Sequence, residues 1–329
     1  MRRLAPAALC AIVVCGCSAS VHHVRRTPAT VSHPAESTTK QRAEPAPRPH
    51  PPFAVGLRVV TFVDHSRTIP ISGLPPQPRT LVTLIRYPAQ GAPGGVDAAG
   101  AAPLRAAGPF PLVVFGHGYD ETPVPYAGLL QAWARAGYVV AAPVFPLENA
   151  NAPGGPNESD LVNQPRDVSF LISRLEALLG GLINSREIAV AGQSDGGETA
   201  LAVAYNRYFL DRRVSAAVIL SGAKIPGVGG FDFPRPSPPL LATQGTADPI
   251  NPPSFTSAFF DVAPPPKYLL TMFGAPHLGP YTDEQPQLGI VERVSVAFLD
   301  RYLKGVSGAA QEIVKMGDVP GISTVESIG

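Results

Sequence analysis

Ser194 stands in Gly192-Gln193-Ser194-Asp195-Gly196-Gly197, directly after the apolar run Ile188-Ala189-Val190-Ala191. A serine hydroxyl is a poor nucleophile until a base takes its proton. Gly-x-Ser-x-Gly between a buried strand and a helix is the local geometry that puts such a serine on a sharp, exposed turn. The flanking glycines leave no Cβ where strand and helix pass closest. A chance glycine-rich loop would carry the same letters. It would lack the strand pattern before them and the helical spacing of Ala200, Leu201, Ala204 and Tyr205 after them.

The serine needs a base. Beyond residue 52 the histidines are His65, His117 and His277, and only His277 follows the serine. The order serine, acid, histidine accompanies a strand-to-helix elbow, and Gly274-Ala275-Pro276-His277 follows the strand pattern of residues 267–273. A surface-loop histidine is the ordinary alternative at such a place. His65 is read as a turn residue of the first hairpin.

The acid that orients the imidazole must lie between the two. The acidic residues there are Asp195, Glu198, Asp211, Asp232, Asp248 and Asp261. Asp195 and Glu198 belong to the elbow, and Asp211 and Asp261 fall at element ends where solvated charges are common. Asp248, in Gln244-Gly245-Thr246-Ala247-Asp248-Pro249, lies just past a strand at the same sheet edge and is chosen. Asp232, in the proline-rich stretch 231–239, is the second choice. The developing oxyanion needs backbone donors, and the amides of Asp195 and Tyr119 are expected to supply them, Tyr119 from the loop Gly116-His117-Gly118-Tyr119. His117 is read as pinning that loop by hydrogen bonds.

The elements that must position these residues follow from periodicity. Residues 57–63 and 80–87 alternate apolar and polar, which predicts an antiparallel hairpin at a sheet margin. Residues 91–108 read as an exposed loop. Strand and helix then alternate: 112–115, a helix at 126–136, 138–142, a helix at 166–179, and 188–191. After the elbow come 214–220, 240–244, a helix at 254–262, 267–273 and a last helix at 285–303. Such alternation predicts an α/β fold, a mostly parallel sheet with helices on both faces. Tyr126, Leu130, Trp133 and Ala134 form one stripe, Val168, Leu171, Leu175 and Leu178 another, and Val291, Val294, Ala297, Phe298 and Tyr302 a third. Trp133 is assigned to the core.

A formal net charge of +1 with 16% charged and 45% hydrophobic residues excludes an electrostatic nucleic-acid binder. The three cysteines, Cys10, Cys15 and Cys17, leave the rest of the chain without a disulfide, a thiol nucleophile or a cysteine metal ligand. No metal or cofactor is expected.

Met1-Arg2-Arg3 and the apolar run after it form an export signal over residues 1–16, too short to span a bilayer. Val14-Cys15-Gly16-Cys17 resembles the bacterial lipoprotein box, which makes Cys17 the expected site of lipidation and the protein an exported, membrane-anchored lipoprotein. Ser18-Ala19-Ser20 offers an ordinary cleavage site instead, which would leave a secreted soluble protein. Residues 17–52 are rich in proline, threonine and serine and read as a disordered tether. Its His22, His23, His33 and His50 are assigned as polar residues of that arm and not as metal ligands. Residues 53–329 read as one catalytic domain.

The elbow at 192–197, the loop at 116–119, Gly245-Thr246-Ala247-Asp248 and the His277 loop, in this order, resemble the α/β-hydrolase superfamily. Asp64-His65-Ser66-Arg67, Arg86-Tyr87-Pro88-Ala89 and the run Gly274-Ala275-Pro276-His277-Leu278-Gly279-Pro280-Tyr281 resemble its dienelactone-hydrolase-like and platelet-activating-factor-acetylhydrolase-like branch. Chlorophyllases and bacterial polyester hydrolases are relatives of that branch. The resemblance implies an eight-stranded sheet and a cofactor-free serine esterase acting on a small-molecule or lipid-like ester. This chain departs from the branch in having serine where true dienelactone hydrolases have cysteine, Gln193 where histidine or tryptophan is usual, and Asp195 after the nucleophile. The resulting expectation is a serine carboxylic-ester hydrolase with Ser194, His277 and Asp248 as its triad. An acyltransferase using the same residues, or a non-catalytic surface lipoprotein with this fold, are the rival readings.

Overall fold

The computed structural model describes residues 50–329. The expected signal segment, Cys17 and nearly all of the tether lie outside the described residues. The chain first lays down the expected hairpin, β1 (Ala54–Ile69) against β2 (Gln77–Ala89), antiparallel from the pair Ala54 and Ala89 to the pair Asp64 and Arg79. The register then shifts before Thr68 meets Pro78. His65 sits in that irregularity, exposed and within the strand, and so is not a turn residue; the turn comes at residues 70–76.

After β3 (Ala98–Ala99) the chain alternates as its periodicity predicts. It runs through β4 (Phe110–Gly116), α1 (Ala127–Arg135), β5 (Val139–Val144), α2 (Gln164–Leu179), β6 (Ile183–Gln193), α3 (Asp195–Tyr205), β7 (Val214–Leu220), β8 (Leu240–Gly245), α4 (Pro253–Phe260) and β9 (Lys267–Met272). It closes with α5 (Gly279–Thr282), α6 (Gln287–Tyr302), α7 (Ala309–Gly317) and β10 (Ser323–Ile328). Strands β4 to β9 are parallel, and the spatial order is β10-β9-β8-β7-β6-β4-β5-β2-β1-β3. The described residues thus form ten strands rather than the eight the resemblance implied. The two additions lie at opposite margins: two-residue β3 inside the segment read as a loop, and β10, antiparallel to β9.

Successive strand residues point to opposite faces, so the near-continuous apolar strands feed two cores at once. Leu112, Val114, Val190, Ile219 and Ala242 pack with α2, α3 and α4 on one face. Val113, Phe115, Ala191, Val218 and Leu241 pack with α1, α6 and α7 on the other. Trp133 is fully buried and its indole N–H donates to Ser295 Oγ at 2.8 Å, tying α1 to α6. The α2 stripe runs Val168, Leu171, Ile172, Leu175 and Leu179, whereas Leu178 is exposed. A stripe of period 3.6 drifts off a strict seven-residue spacing, so by the fourth position the neighbouring leucine has come to face the core.

Candidate active site

Tyr119, Ser194, Asp195, Asp248 and His277 lie just past the ends of β4, β6, β8 and β9, at one end of the parallel strands. Ser194 lies between β6 and α3 with φ 53° and ψ −123°, a conformation that L side chains rarely adopt. It is held there by its own N–H donating to the Leu220 carbonyl and its carbonyl accepting from the Glu198 N–H. The turn closes because two glycines let backbones cross. A Cβ at Gly192 would stand 2.0 Å from the Gly196 carbonyl oxygen, and one at Gly196 would stand 2.1 Å from that of Gly116. Any side chain at either place would push Ser194 off the sheet.

The hydroxyl of Ser194 is 2.9 Å from Nε2 of His277 and donates to it. Nδ1 of His277 donates to Oδ2 of Asp248 at 2.8 Å. The other Asp248 oxygen accepts the N–H groups of Ile250 and Asn251, each at 2.9 Å. Burial alone would raise the Asp248 carboxyl, but the His277 hydrogen bond and these two amides outweigh it and hold the group below its ordinary value. The loops after β8 and β9 are bound to each other, Thr246 N–H to Met272 and Ala247 N–H to Ala275, so Asp248 and His277 share one support. Asp232 lies elsewhere, about half exposed and ion-paired with Arg207 at 2.6 Å. Asp211 pairs with Arg213, and Asp261 caps α4.

The N–H groups of Tyr119 and Asp195 have no acceptor among the described residues. The loop after β4 lies directly over Ser194, since a Cβ at Gly118 would stand 3.1 Å from that of Ser194. His117 is buried beneath it. The Phe145 N–H donates to its Nε2 at 3.0 Å, which leaves Nδ1 protonated to donate to the Gly118 carbonyl at 2.8 Å. Burial lowers its pKa to about 4, opposed by the bond to Gly118, so the ring is neutral and bridges two backbone segments.

Two residues near the nucleophile escaped sequence reasoning as parts of the site. Tyr126, assigned only to the core stripe, donates its hydroxyl to Oε1 of Gln193 at 2.8 Å, and Nε2 of Gln193 donates to the His277 carbonyl at 3.0 Å. Only the unusual residue type before the serine hinted at this. A cavity of about 350 Å3 beside α3 is lined by Leu161, Val162, Ile225 and Pro226, with Glu158 and Ser159 at its edge. Leu161 and Ile225 pack on Ala202, one turn along α3 from Glu198. This wall is fixed by a buried ion-pair network. Arg79 of β2 reaches Asp160 and Asp167 through four hydrogen bonds of 2.6–2.9 Å, and Arg67 of β1 joins Asp64 to Asp167.

Comparison with known proteins agrees with this architecture. The family model named chlorophyllase matches residues 101–242, a stretch that holds the loop at residues 116–119 and Ser194 and ends before Asp248 and His277. No curated protein matches. Among solved structures, the ferulic acid esterase from Streptomyces cinnamoneus is similar with a TM-score of 0.62 and 22% identity, over 85% of this chain and 96% of that one. The chain has the α/β-hydrolase fold, and the likeness to chlorophyllases expected from its motifs is found over the matched residues.

Proposed function

We propose that the protein is a serine carboxylic-ester hydrolase working through an acyl-enzyme. The observation that carries this reading is the continuous hydrogen-bond chain from Ser194 Oγ through both nitrogens of His277 to Asp248. The likeness to chlorophyllases and to a ferulic acid esterase supports an esterase-type hydrolase. Oγ of Ser194 attacks the ester carbonyl carbon while its proton passes to Nε2 of His277. Asp248 keeps the remaining N–H on Nδ1 and stabilises the imidazolium. The carbonyl oxygen becomes an oxyanion that the N–H groups of Tyr119 and Asp195 receive. Collapse breaks the bond to the alcohol, which leaves with the proton from Nε2. Water then repeats the sequence on the acyl-serine and releases the acid. The Asp195 carboxyl group beside the nucleophile disfavours anionic esters and favours neutral ones.

The test is labelling with a fluorophosphonate combined with turnover of a chain-length series of nitrophenyl esters. One label on Ser194 with complete loss of turnover is expected, and labelled protein that still hydrolyses ester would overturn the reading. For location, we propose export with lipid on Cys17; the support is the signal-like run and the box around that cysteine.

A further inference from the structure

Three carboxyl groups are buried beside the nucleophile, and no partner accounts for them. Glu148, in the loop after β5, is 1% exposed, and neither of its carboxyl oxygens meets a donor. Oδ2 of Asp195 and Oε2 of Glu198, both in the first turn of α3, are equally buried and equally without a donor. The side chains of Glu148 and Asp195 are within hydrogen-bonding reach of each other. Two carboxylates so placed repel, and desolvation adds to the penalty. One proton between them converts the contact into an O–H···O bond. A metal ion would serve the same purpose, but no group of three carboxylate, histidine or cysteine side chains among the described residues is arranged to hold one.

Glu148 also reaches the other half of the site. Its backbone carbonyl accepts the N–H of Asp120 at 3.0 Å, and Asp120 has φ 56°. Tyr119 is the residue before it. Glu148 therefore meets the residue that follows Tyr119 through its main chain and the side chain of Asp195 through its carboxyl group.

We propose that Glu148 is a positioning residue whose protonated carboxyl group donates to Asp195, and that this bond holds the two oxyanion donors at a fixed separation. The surroundings favour the proton. The ionisable groups that act on Glu148 are Asp195 from α3 and Asp160 and Glu158 from the turn at Glu158–Asn163, all of them carboxyl groups. Asp160 is itself paired with Arg79, which also pairs with Asp167. Burial first, then Asp195, pushes the Glu148 carboxyl up to about 11, and burial with Asp195 and Glu158 pushes Glu198 up to about 9.

The kinetic part of the inference rests on the esterase reading; the protonation part does not. Glu148→Ala is expected to lower kcat about 10- to 100-fold with little change in KM, somewhat less than loss of a whole oxyanion donor. Glu148→Gln should recover most of that loss, because its amide N–H replaces the shared proton. The second arm is calorimetry, which needs no substrate. Below the ordinary carboxyl value of 4.5 both folded and unfolded chains hold the proton; above it only the fold does, so this group's contribution to stability is lost as pH rises toward about 11. The Tm of Glu148→Gln minus that of the unaltered protein should therefore grow steadily between about pH 5 and about pH 9. A difference that stays flat or shrinks means Glu148 is ionised and overturns the proposal, whatever the esterase assay shows. So does a glutamine variant as slow as the alanine one. A Tm that rises with millimolar calcium in the unaltered protein, but not in Glu148→Gln, would assign the oxygens to a cation and overturn it too.

Discussion

The side chain of Gln193 donates to the backbone carbonyl of His277 at 3.0 Å, so the residue before Ser194 holds the loop that carries His277. The same amide nitrogen is 3.2 Å from Nε2 of the imidazole, and its oxygen is anchored by Tyr126. Gln193→Ala should break this brace and leave the buried Tyr126 hydroxyl unsatisfied. Denaturant unfolding should show a loss of about 1–3 kcal/mol, and kcat should fall more than KM changes. An unaltered kcat would show that the His277 loop needs no brace.

Asp248 and Asp232 separate cleanly by mutation. Asp248→Asn should cost about 10⁴-fold in turnover, by admitting the wrong imidazole tautomer. Asp232→Asn removes only a half-exposed partner of Arg207 and should leave stability within about 0.5 kcal/mol and turnover near its original value. Steady-state kinetics on both variants decides, and the reverse pattern would remove Asp248 from the triad.

His117 makes the fold sensitive to acid. Its pKa falls from 6.5 to about 4 on folding, so above 6.5 both states are neutral, and below it only the unfolded chain gains the proton. Stability from this residue is therefore lost as pH drops from 6.5 to about 4, by on the order of 3 kcal/mol. Chemical denaturation across that window should show the loss, and replacing His117 by Asn should flatten that part of the curve.

Arg79 should be among the least replaceable residues far from the chemistry. Arg79→Met leaves the buried Asp160 without its cation and the buried Asp167 with Arg67 alone, and is expected to cost about 3–5 kcal/mol by denaturant unfolding. A loss below about 1 kcal/mol would mean the two carboxyl groups find other partners.

Cys17→Ala should move the protein from the membrane fraction to the soluble one if the cysteine is acylated. Fractionation of cells expressing each form checks this, and unchanged partition would end the lipoprotein reading.

What the sequence by itself determined was local. Gly192 to Gly197 after a β-branched and alanine run implies the elbow, because the crossing of backbones at Gly192 and Gly196 is a contact between residues four apart. His277 was isolated by counting, since it alone follows the serine. The hairpin, the parallel strands and the covering helices were legible for the same reason, as each is written in a short period of apolar residues, except α7, which follows the helix expected to be the last. Ten strands rather than eight were not, because β3 has only two residues and β10 has little apolar signal beyond Val325. Asp248 was preferred to Asp232 from its place just past a strand, but its contact with the imidazole is tertiary: the pairing of β8 with β9 sets it 2.8 Å from His277, while Asp232, sixteen positions away, pairs with Arg207. Tertiary structure also turned Tyr126 from a core residue into a support of Gln193, and brought Glu148 to Asp195. Burial and distance across a folded chain create those relationships, and no spacing in a linear sequence encodes either.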